Sequence, residues 1–250
     1  MKKQRLDVAV VERGLTDSRA KAQSLIMARR VLVNGTHVDK AGALVAEDDV
    51  IAIEALEHPW VGRGGMKLAH ALEQFGIDVS GKVCADIGAS TGGFTDVMLK
   101  GGAKKVYAID VGYGQLDASL RNDPRVVNRE KVNARYLTKA DFEDEIEFVS
   151  IDVSFISLKL ILPAVATFLR GELVALIKPQ FEVGKRDVGK GGIVRDEAKR
   201  AAAVESVVAF ARELMDVKGV IESPVKGAEG NVEYLMHADT REVLRATMPA

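Results

Sequence analysis

The sequence predicts an α/β fold in which a Rossmann-like, mostly parallel sheet carries helices on both faces, with a small amino-terminal α+β domain ahead of it. From residue 67 onward, short apolar runs alternate with helix-compatible segments, as in parallel sheets with crossover connections. Several of these runs end in an ionisable residue, and one leads into a turn with three glycines in six residues. Residues 1–40 instead hold nine Lys or Arg against four acids, and residues 41–57 hold five acids and no base. This change of composition marks a separate amino-terminal region.

Length and composition narrow the class of protein. The chain has 250 residues, of which 47% are hydrophobic and 28% charged, as expected for one large or two modest globular domains. The single cysteine, Cys84, permits no intrachain disulfide, and the polar residues after Met1 do not form a secretory signal, so we expect a cytoplasmic protein. The longest apolar run, 160–169, is half the roughly 20 residues of a spanning helix, so no stable membrane insertion is expected. No metal site is predicted.

The amino-terminal region is predicted to contain two short helices followed by short strands. Gly14 ends the first helix, Thr16-Asp17-Ser18 offers capping residues for the second, and Asn34-Gly35 is a strong hairpin signal. The predicted helices are 5–12 and 19–28, and the predicted strands are 31–33, 36–38 and 50–53.

Two basic segments of this region resemble a small RNA-binding fold named after a protein of the small ribosomal subunit. They are Ser18-Arg19-Ala20-Lys21-Ala22-Gln23 and Arg29-Arg30-Val31-Leu32-Val33-Asn34-Gly35. The resemblance implies a helix-and-turn surface that faces a phosphate backbone, with affinity that depends on salt. The candidate RNA-binding residues are Arg5, Arg19, Lys21, Arg29, Arg30 and Asn34. The alternative is a solvated basic face.

A segment rich in glycine and proline, with the only tryptophan, follows and predicts a domain boundary. The predicted division is an RNA-binding domain at 1–58, a linker at 59–66 and a large domain at 67–250. Apolar spacing predicts a helix over 66–75, with Lys67 in its first turn. A cation there is unfavourable for the helix dipole, which makes Lys67 a functional candidate.

The large domain is predicted to alternate strands and helices. Pro179 ends the fifth strand, since proline has no N–H to donate to a sheet. The predicted strands are 83–86, 105–110, 125–127, 148–152, 172–179, 217–222 and 233–236, and the predicted helices are 94–100, 158–169 and 195–215.

Ionisable residues stand at the ends of four predicted strands: Asp86, Asp110, Asp152 and Lys178. Ligands of such sheets bind beyond the carboxyl ends of the strands. These residues are therefore site candidates rather than polar residues that only end a strand. The glycine turn after Asp86 reads DxGxxxGG and not GxGxxG; it is similar to the turn of S-adenosylmethionine-dependent methyltransferases. The candidate cofactor-binding residues are Asp86, Gly88, Ser90, Thr91, Gly92, Asp110 and Asn133.

Along its whole length the chain resembles the hemolysin-A-like (TlyA) family of ribosomal RNA ribose methyltransferases, which are related to the cell-division-associated heat-shock (FtsJ) RNA methyltransferases. That family uses a Lys-Asp-Lys-Glu tetrad, and the matching residues here are Lys67, Asp152, Lys178 and Glu233. Gly62 stands where relatives often carry serine. The resemblance implies 2′-O-methylation of ribosomal RNA, with S-adenosyl-L-methionine as cofactor and ribosomal RNA or a ribosomal subunit as partner.

The tetrad suits the chemistry, because a ribose 2′-hydroxyl is a poor nucleophile that needs a base or a cation for its developing charge. We expect a neutral Lys178 to take the proton, and Asp152 and Glu233 to orient the lysines and the ribose. Three alternatives are an RNA-binding protein with an inactive methyltransferase fold, a hemolysin-like membrane-active protein, and a base N-methyltransferase. Target nucleotide, ribosomal subunit and oligomeric state are not specified by the sequence.

Overall fold

The chain divides into two structural units. The computed structural model describes residues 3–16, 18–27, 30–54, 58–184, 187–189, 191–227 and 230–241. Met1–Pro59 form the smaller unit and Trp60–Ala250 the larger. Residues 60–66 of the predicted linker therefore lie in the larger unit.

The smaller unit packs two helices against short antiparallel strands. β2 pairs with both β3 and β5, and β1 pairs with β4. Buried Leu6, Val10, Ile26 and Val31 are among the residues of its core. Its elements are β1 (Lys3–Arg5), α1 (Leu6–Glu12), α2 (Arg19–Met27), β2 (Val31–Val33), β3 (Thr36–Val38), β4 (Leu44–Ala46) and β5 (Ile51–Ile53).

The larger unit is built on one mixed sheet. Its helices and strands are α3 (Gly64–Phe75), β6 (Val83–Ile87), α4 (Gly93–Lys100), β7 (Lys105–Ile109), α5 (Ala118–Arg121), β8 (Val126–Arg129), β9 (Ile146–Ile151), α6 (Leu162–Phe168), β10 (Leu169–Ile177), α7 (Pro179–Glu182), α8 (Glu197–Leu214), β11 (Asp216–Glu222) and β12 (Tyr234–Asp239). The strand order is β11-β12-β10-β9-β6-β7-β8. Strands β10, β9, β6, β7 and β8 are parallel, and β12 runs antiparallel to both β10 and β11.

Helices cover both faces of this sheet. One buried cluster joins α6 and α8 to one face through residues such as Leu162, Val165 and Val207. The other joins α3 and α4 to the opposite face through Leu68, Phe94 and others. The predicted fold class, a mostly parallel sheet with helices on both faces plus a small α+β unit, is confirmed.

Some element boundaries differ from the prediction. The helix predicted over 158–169 is a single 3₁₀ turn, Leu158–Leu160, followed by α6, in which Pro163 occupies the first turn. Proline is tolerated there because its missing N–H would have no partner within the helix. Leu169 already belongs to β10 and pairs with Ile146 of β9.

No helix in the described part of the chain is long and apolar enough to cross a membrane.

Candidate active site

The carboxyl ends of four parallel strands bring the candidate residues to one edge of the sheet. Gly88 follows β6, Asp110 follows β7, Asp152 follows β9 and Lys178 follows β10. Because β6 lies between β7 and β9, and β10 lies beside β9, these positions are neighbours in space.

Lys178 is held by two groups of the loop after β9. Its Nζ lies 2.6 Å from Asp152 Oδ1 and donates a hydrogen bond of 2.8 Å to Ser154 Oγ. The contact with Asp152 is an ion pair rather than an aligned hydrogen bond, since the buried Oδ1 has no hydrogen-bond donor in good geometry. An ammonium has three N–H donors, so Lys178 keeps donor capacity for a ligand. Ser154 was not among the site residues predicted from the sequence, although it lies only two residues beyond Asp152.

Lys67 and Glu233 form the second ion pair. Lys67 Nζ donates to Glu233 Oε2 at 2.5 Å, and the two side chains are 11% and 2% exposed. Lys67 lies in the first turn of α3, where a cation opposes the helix dipole, and the buried carboxylate compensates for this. Gly227 covers Glu233 so closely that a Cβ built on Gly227 would lie 2.0 Å from Glu233 Oε1.

The two ion pairs meet at one cavity of about 240 Å³, which we call the catalytic cavity. Lys67, Asp152 and Lys178 line it directly, and Glu233 joins it through Lys67. The remaining lining residues are Gly64, Gly88, Ala89, Ser90, Thr91, Gly93, Phe94 and Ser154. The tetrad expected from the family resemblance therefore converges, together with the glycine turn.

The glycine turn needs its glycines for space and conformation. Gly88 has a φ of 85°, and a Cβ there would lie 2.5 Å from the main-chain oxygen of Asp152. Such a position admits only glycine. Ser90 also has a positive φ, of 49°, and its N–H donates to Asp110 Oδ2 at 2.8 Å. The turn is thereby tied to the loop after β7.

A second cavity, of about 410 Å³, adjoins the catalytic cavity and shares Gly88, Ser90, Asp152 and Ser154 with it. Asp110 and Asn133, two of the candidate cofactor-binding residues, lie in its wall. Its apolar walls include Ile109, Val111, Val132 and Ile156. A cavity of this size, mostly apolar with a few polar groups, suits a nucleoside-sized ligand.

Two candidate cofactor residues face elsewhere. Asp86 is fully buried and accepts hydrogen bonds from Thr95 Oγ1 at 2.6 Å and Ser150 Oγ at 3.1 Å. Burial raises the pKa of Asp86 to about 7, because the charged form is poorly solvated. Gly92 is also buried, and a Cβ there would lie 2.2 Å from a methyl carbon of Leu120. The expectation that these two residues face a ligand is therefore corrected. Both are packed in the protein interior next to the glycine turn.

The candidate RNA-binding residues of the smaller unit take part in its internal contacts. Arg5 and Arg19 both donate to Asp7, which is fully buried and also accepts from Gln23. Both arginine side chains nevertheless remain about half exposed, at 48% and 55%. The pKa of Asp7 is held well below its usual range, chiefly by the hydrogen bond from Arg5.

The other candidates of this unit differ in how they are engaged. Asn34 bonds through its amide to Asp49 and to the main chain of Val50, so its side chain holds the hairpin turn. Arg30 donates to the main-chain oxygen of Glu54, and Lys21 is exposed. Arg29 lies outside the described residues.

Comparison with protein families identifies both units. Residues 60–240 match the model of the FtsJ-like methyltransferase family, and residues 4–51 match that of the S4 domain.

Individual relatives are similar to this protein in sequence over almost the whole chain. Hemolysin A of Brachyspira hyodysenteriae is 47% identical over 239 residues, which cover 93% of this chain and 98% of that protein. The 16S/23S rRNA (cytidine-2′-O)-methyltransferase TlyA of Mycobacterium tuberculosis is 46% identical over 241 residues, covering 95% and 90%. A solved structure described as "Putative hemolysin from Streptococcus thermophilus" is 45% identical, with a TM-score of 0.75 over 97% of this chain and 90% of that one.

The family predicted from the sequence is thus confirmed, as is S-adenosylmethionine as the cofactor. The chain belongs to the FtsJ-like methyltransferases and, within them, to the hemolysin-A-like (TlyA) family, in which an S4 domain precedes the S-adenosylmethionine-dependent methyltransferase domain.

Proposed function

We propose that this enzyme methylates a ribose 2′-hydroxyl of ribosomal RNA, using Lys67, Asp152, Lys178 and Glu233. The observation that carries the proposal is the meeting of two Lys–carboxylate pairs at a cavity that the glycine turn also lines. The relative from Mycobacterium tuberculosis is named for cytidine-2′-O-methylation of 16S and 23S rRNA, which favours a cytidine as the target here. A ribosomal substrate would place the enzyme in the cytoplasm.

Lys178 is the residue proposed to meet the reacting hydroxyl. Asp152 and Ser154 occupy part of its donor capacity and fix the direction of its side chain. A remaining N–H then points a positive charge at the oxygen as it loses its proton, where a fixed charge lowers the barrier most. Asp152 takes a proton from Lys178, and the amine so formed takes the proton of the hydroxyl, so that Lys178 is again an ammonium and Asp152 ends protonated.

Lys67 and Glu233 are proposed to position the ribose. Their ion pair is more deeply buried than the Lys178–Asp152 pair, so its geometry is held by the surrounding protein. A rigid second cation keeps the hydroxyl in line for attack, and correct alignment contributes much of the acceleration of a transfer between two bound partners.

The second cavity is the proposed cofactor site. Ile109, Val111 and Val132 would contact an adenine ring, Asp110 would accept hydrogen bonds from ribose hydroxyls, and Asn133 lies in the same wall. Gly88, Ser90, Asp152 and Ser154 line both cavities, so a ligand in the second cavity would reach the catalytic one beside them. When bound, S-adenosylmethionine supplies a methyl group already activated by a sulfonium.

The S4 domain is proposed to bind the RNA backbone. Lys21 is an exposed cation on α2, and the half-exposed Arg5 and Arg19 have their directions fixed by Asp7. Pre-oriented guanidinium groups contact phosphates at a lower entropic cost than freely rotating ones. Arg5 and Arg19 therefore combine a structural role with RNA binding.

The test is transfer of tritiated methyl groups to isolated ribosomal subunits that lack ribose methylation. Label that survives alkaline hydrolysis within a dinucleotide supports the proposal, because a methylated 2′-oxygen cannot attack the neighbouring phosphate. Label recovered on a free base, or absent from both subunits while S-adenosylmethionine still binds, would refute it.

A further inference from the structure

A third cavity opens beside the catalytic one. It has a volume of about 480 Å³ and lies between the start of α3 and residues 225–227 and 230; we call it the side cavity. Gly64 and Lys67 line both the side cavity and the catalytic cavity, so the two meet at the first turn of α3. Its described lining residues are Arg63, Gly64, Lys67, Val225, Lys226, Gly227 and Gly230.

The described lining of the side cavity carries more positive than negative charge. Arg63 and Lys226 are both exposed, and Lys67 adds a third ammonium whose charge is balanced by Glu233. Gly227 stands between that carboxylate and the cavity, and Glu233 is only 2% exposed. Among the described residues that line the cavity there is no carboxylate. Two cations thus remain for a ligand.

The main chain around the cavity also suits an anion. α3 begins at Gly64, after Arg63, without a side-chain cap, and the positive end of its dipole lies at this wall, although the N–H groups of Gly65 and Met66 already donate to main-chain oxygens. Opposite it, Gly227 and Gly230 present backbone without side chains, and Gly230 has a φ of 92°. A guanidinium, an ammonium and a helix start around a glycine-lined space together favour phosphate.

We propose that the side cavity binds a phosphodiester of the RNA strand next to the methylated ribose, with Arg63 and Lys226 as its partners. The proposal rests on the proposed function, because a ribose at Lys178 is what brings a neighbouring phosphate here. Every ribose within a strand is flanked by phosphates, so the backbone must leave the catalytic cavity, and Lys67 lines the common wall. Arg63 and Lys226 are positioning residues that take no part in methyl transfer.

The test uses Lys226→Gln and Arg63→Gln in the full chain. Lys104→Gln is the matched control: Lys104 is an exposed cation just before β7, at the edge of the sheet opposite the active site. Subunit binding is measured over a range of KCl concentrations, together with KM and kcat for methyl transfer and the Kd for S-adenosylmethionine.

Each side-cavity variant should raise KM for the subunit by roughly tenfold, the effect of losing one charged hydrogen bond, and change kcat less. The slope of log affinity against log salt should become shallower by about 0.7 for each lost phosphate contact. The Kd for S-adenosylmethionine should not change, and Lys226→Arg should restore subunit affinity.

The outcomes separate the two proposals. If both variants match Lys104→Gln in KM and salt slope while the wild type labels ribose, the phosphate site is wrong and the proposed function stands. If the variants weaken salt-dependent binding but the wild type labels no ribose, the proposed function is wrong, and the side cavity binds an RNA phosphate that is not next to a methylated ribose. Failure of Lys226→Arg to restore binding, or a wild type that binds subunits without salt dependence, also overturns the phosphate site.

Discussion

Glu233 places its carboxylate 2.5 Å from the ammonium of Lys67, although 166 residues separate the two in the chain. The contact brings the residue just before β12 to the first turn of α3. Gly227 completes the arrangement by leaving room for the carboxylate.

We expect Gly227→Ala to break this ion pair. The new methyl group would occupy the place of Glu233 Oε1, so the carboxylate must turn away from Lys67. Methyl transfer should fall about as far as in Glu233→Ala, and the double variant should be no worse than either single one, since all three remove the same contact. The steady-state rate of methyl transfer is measured for the two single variants and the double variant. A Gly227→Ala enzyme with wild-type rates, or effects of the two changes that add, would contradict the prediction.

Lys178→Ala should abolish methyl transfer without weakening the binding of S-adenosylmethionine. Loss of a positioned acid–base group typically lowers a rate by a factor of roughly 100 to 10,000. The side chain lines the catalytic cavity and not the second cavity, so titration calorimetry should give an unchanged cofactor Kd. Lys104→Ala serves as the control for loss of a lysine. Transfer at the wild-type rate in Lys178→Ala would remove this residue from the mechanism.

Asp86 should make the ligand-free enzyme less stable as the pH rises from about 4 to about 7. Burial raises the pKa of Asp86 to about 7 in the folded protein, whereas an unfolded chain has a value near 3.9. Between these values the folded state binds the extra proton, so the free energy of unfolding falls with increasing pH. Asp86→Asn should flatten this dependence, with a difference of up to about 4 kcal/mol across the window. Urea unfolding at pH 5 and pH 8 gives the free energy of unfolding of the wild type and of Asp86→Asn. An equal change with pH in both proteins would show that Asp86 does not titrate in this range.

Asp7→Ala should destabilise the S4 domain. Its carboxylate accepts from Arg5, Arg19 and Gln23, and loss of a buried charged acceptor with several donors costs on the order of 3 kcal/mol. Because the folded pKa of Asp7 is lowered, its stabilisation is present above about pH 4 and is lost as the pH falls further. Hydrogen exchange should show faster exchange within residues 3–54 and unchanged exchange in the β6–β10 sheet. Unchanged protection of α1 and α2 would contradict this role.

The sequence predicted the large domain well because its signals are local. Buried parallel strands are continuous apolar runs, and Asp110, Asp152 and Lys178 follow them directly, so their common edge could be inferred from the fold class alone. The pairing of Lys67 with Glu233 could not be inferred from spacing and was implied only by the family resemblance.

Other features depend on contacts between distant residues. The polar strand Lys3–Arg5 forms only because it pairs with Leu44–Ala46, and three-residue strands carry almost no periodic signal. Asp86 was predicted to end its strand as Asp152 does, but β6 continues to Ile87. The side chain of Asp86 is buried and accepts from the hydroxyl groups of Thr95 in α4 and Ser150 in β9. Likewise, a basic surface could be predicted from Arg5 and Arg19, but not that a single buried acid orients both.

The two ion pairs of the catalytic cavity have a consequence for how substrate binding and methyl transfer are distributed over the protein. Their two positive and two negative charges cancel, so the reaction centre exerts no long-range attraction on a polyanion. We therefore expect RNA binding to depend on surfaces away from the catalytic cavity, such as the S4 domain and the cations beside α3. Substrate choice and turnover can therefore change independently, and a related enzyme could acquire a new target on the ribosome without altering the residues that move the methyl group.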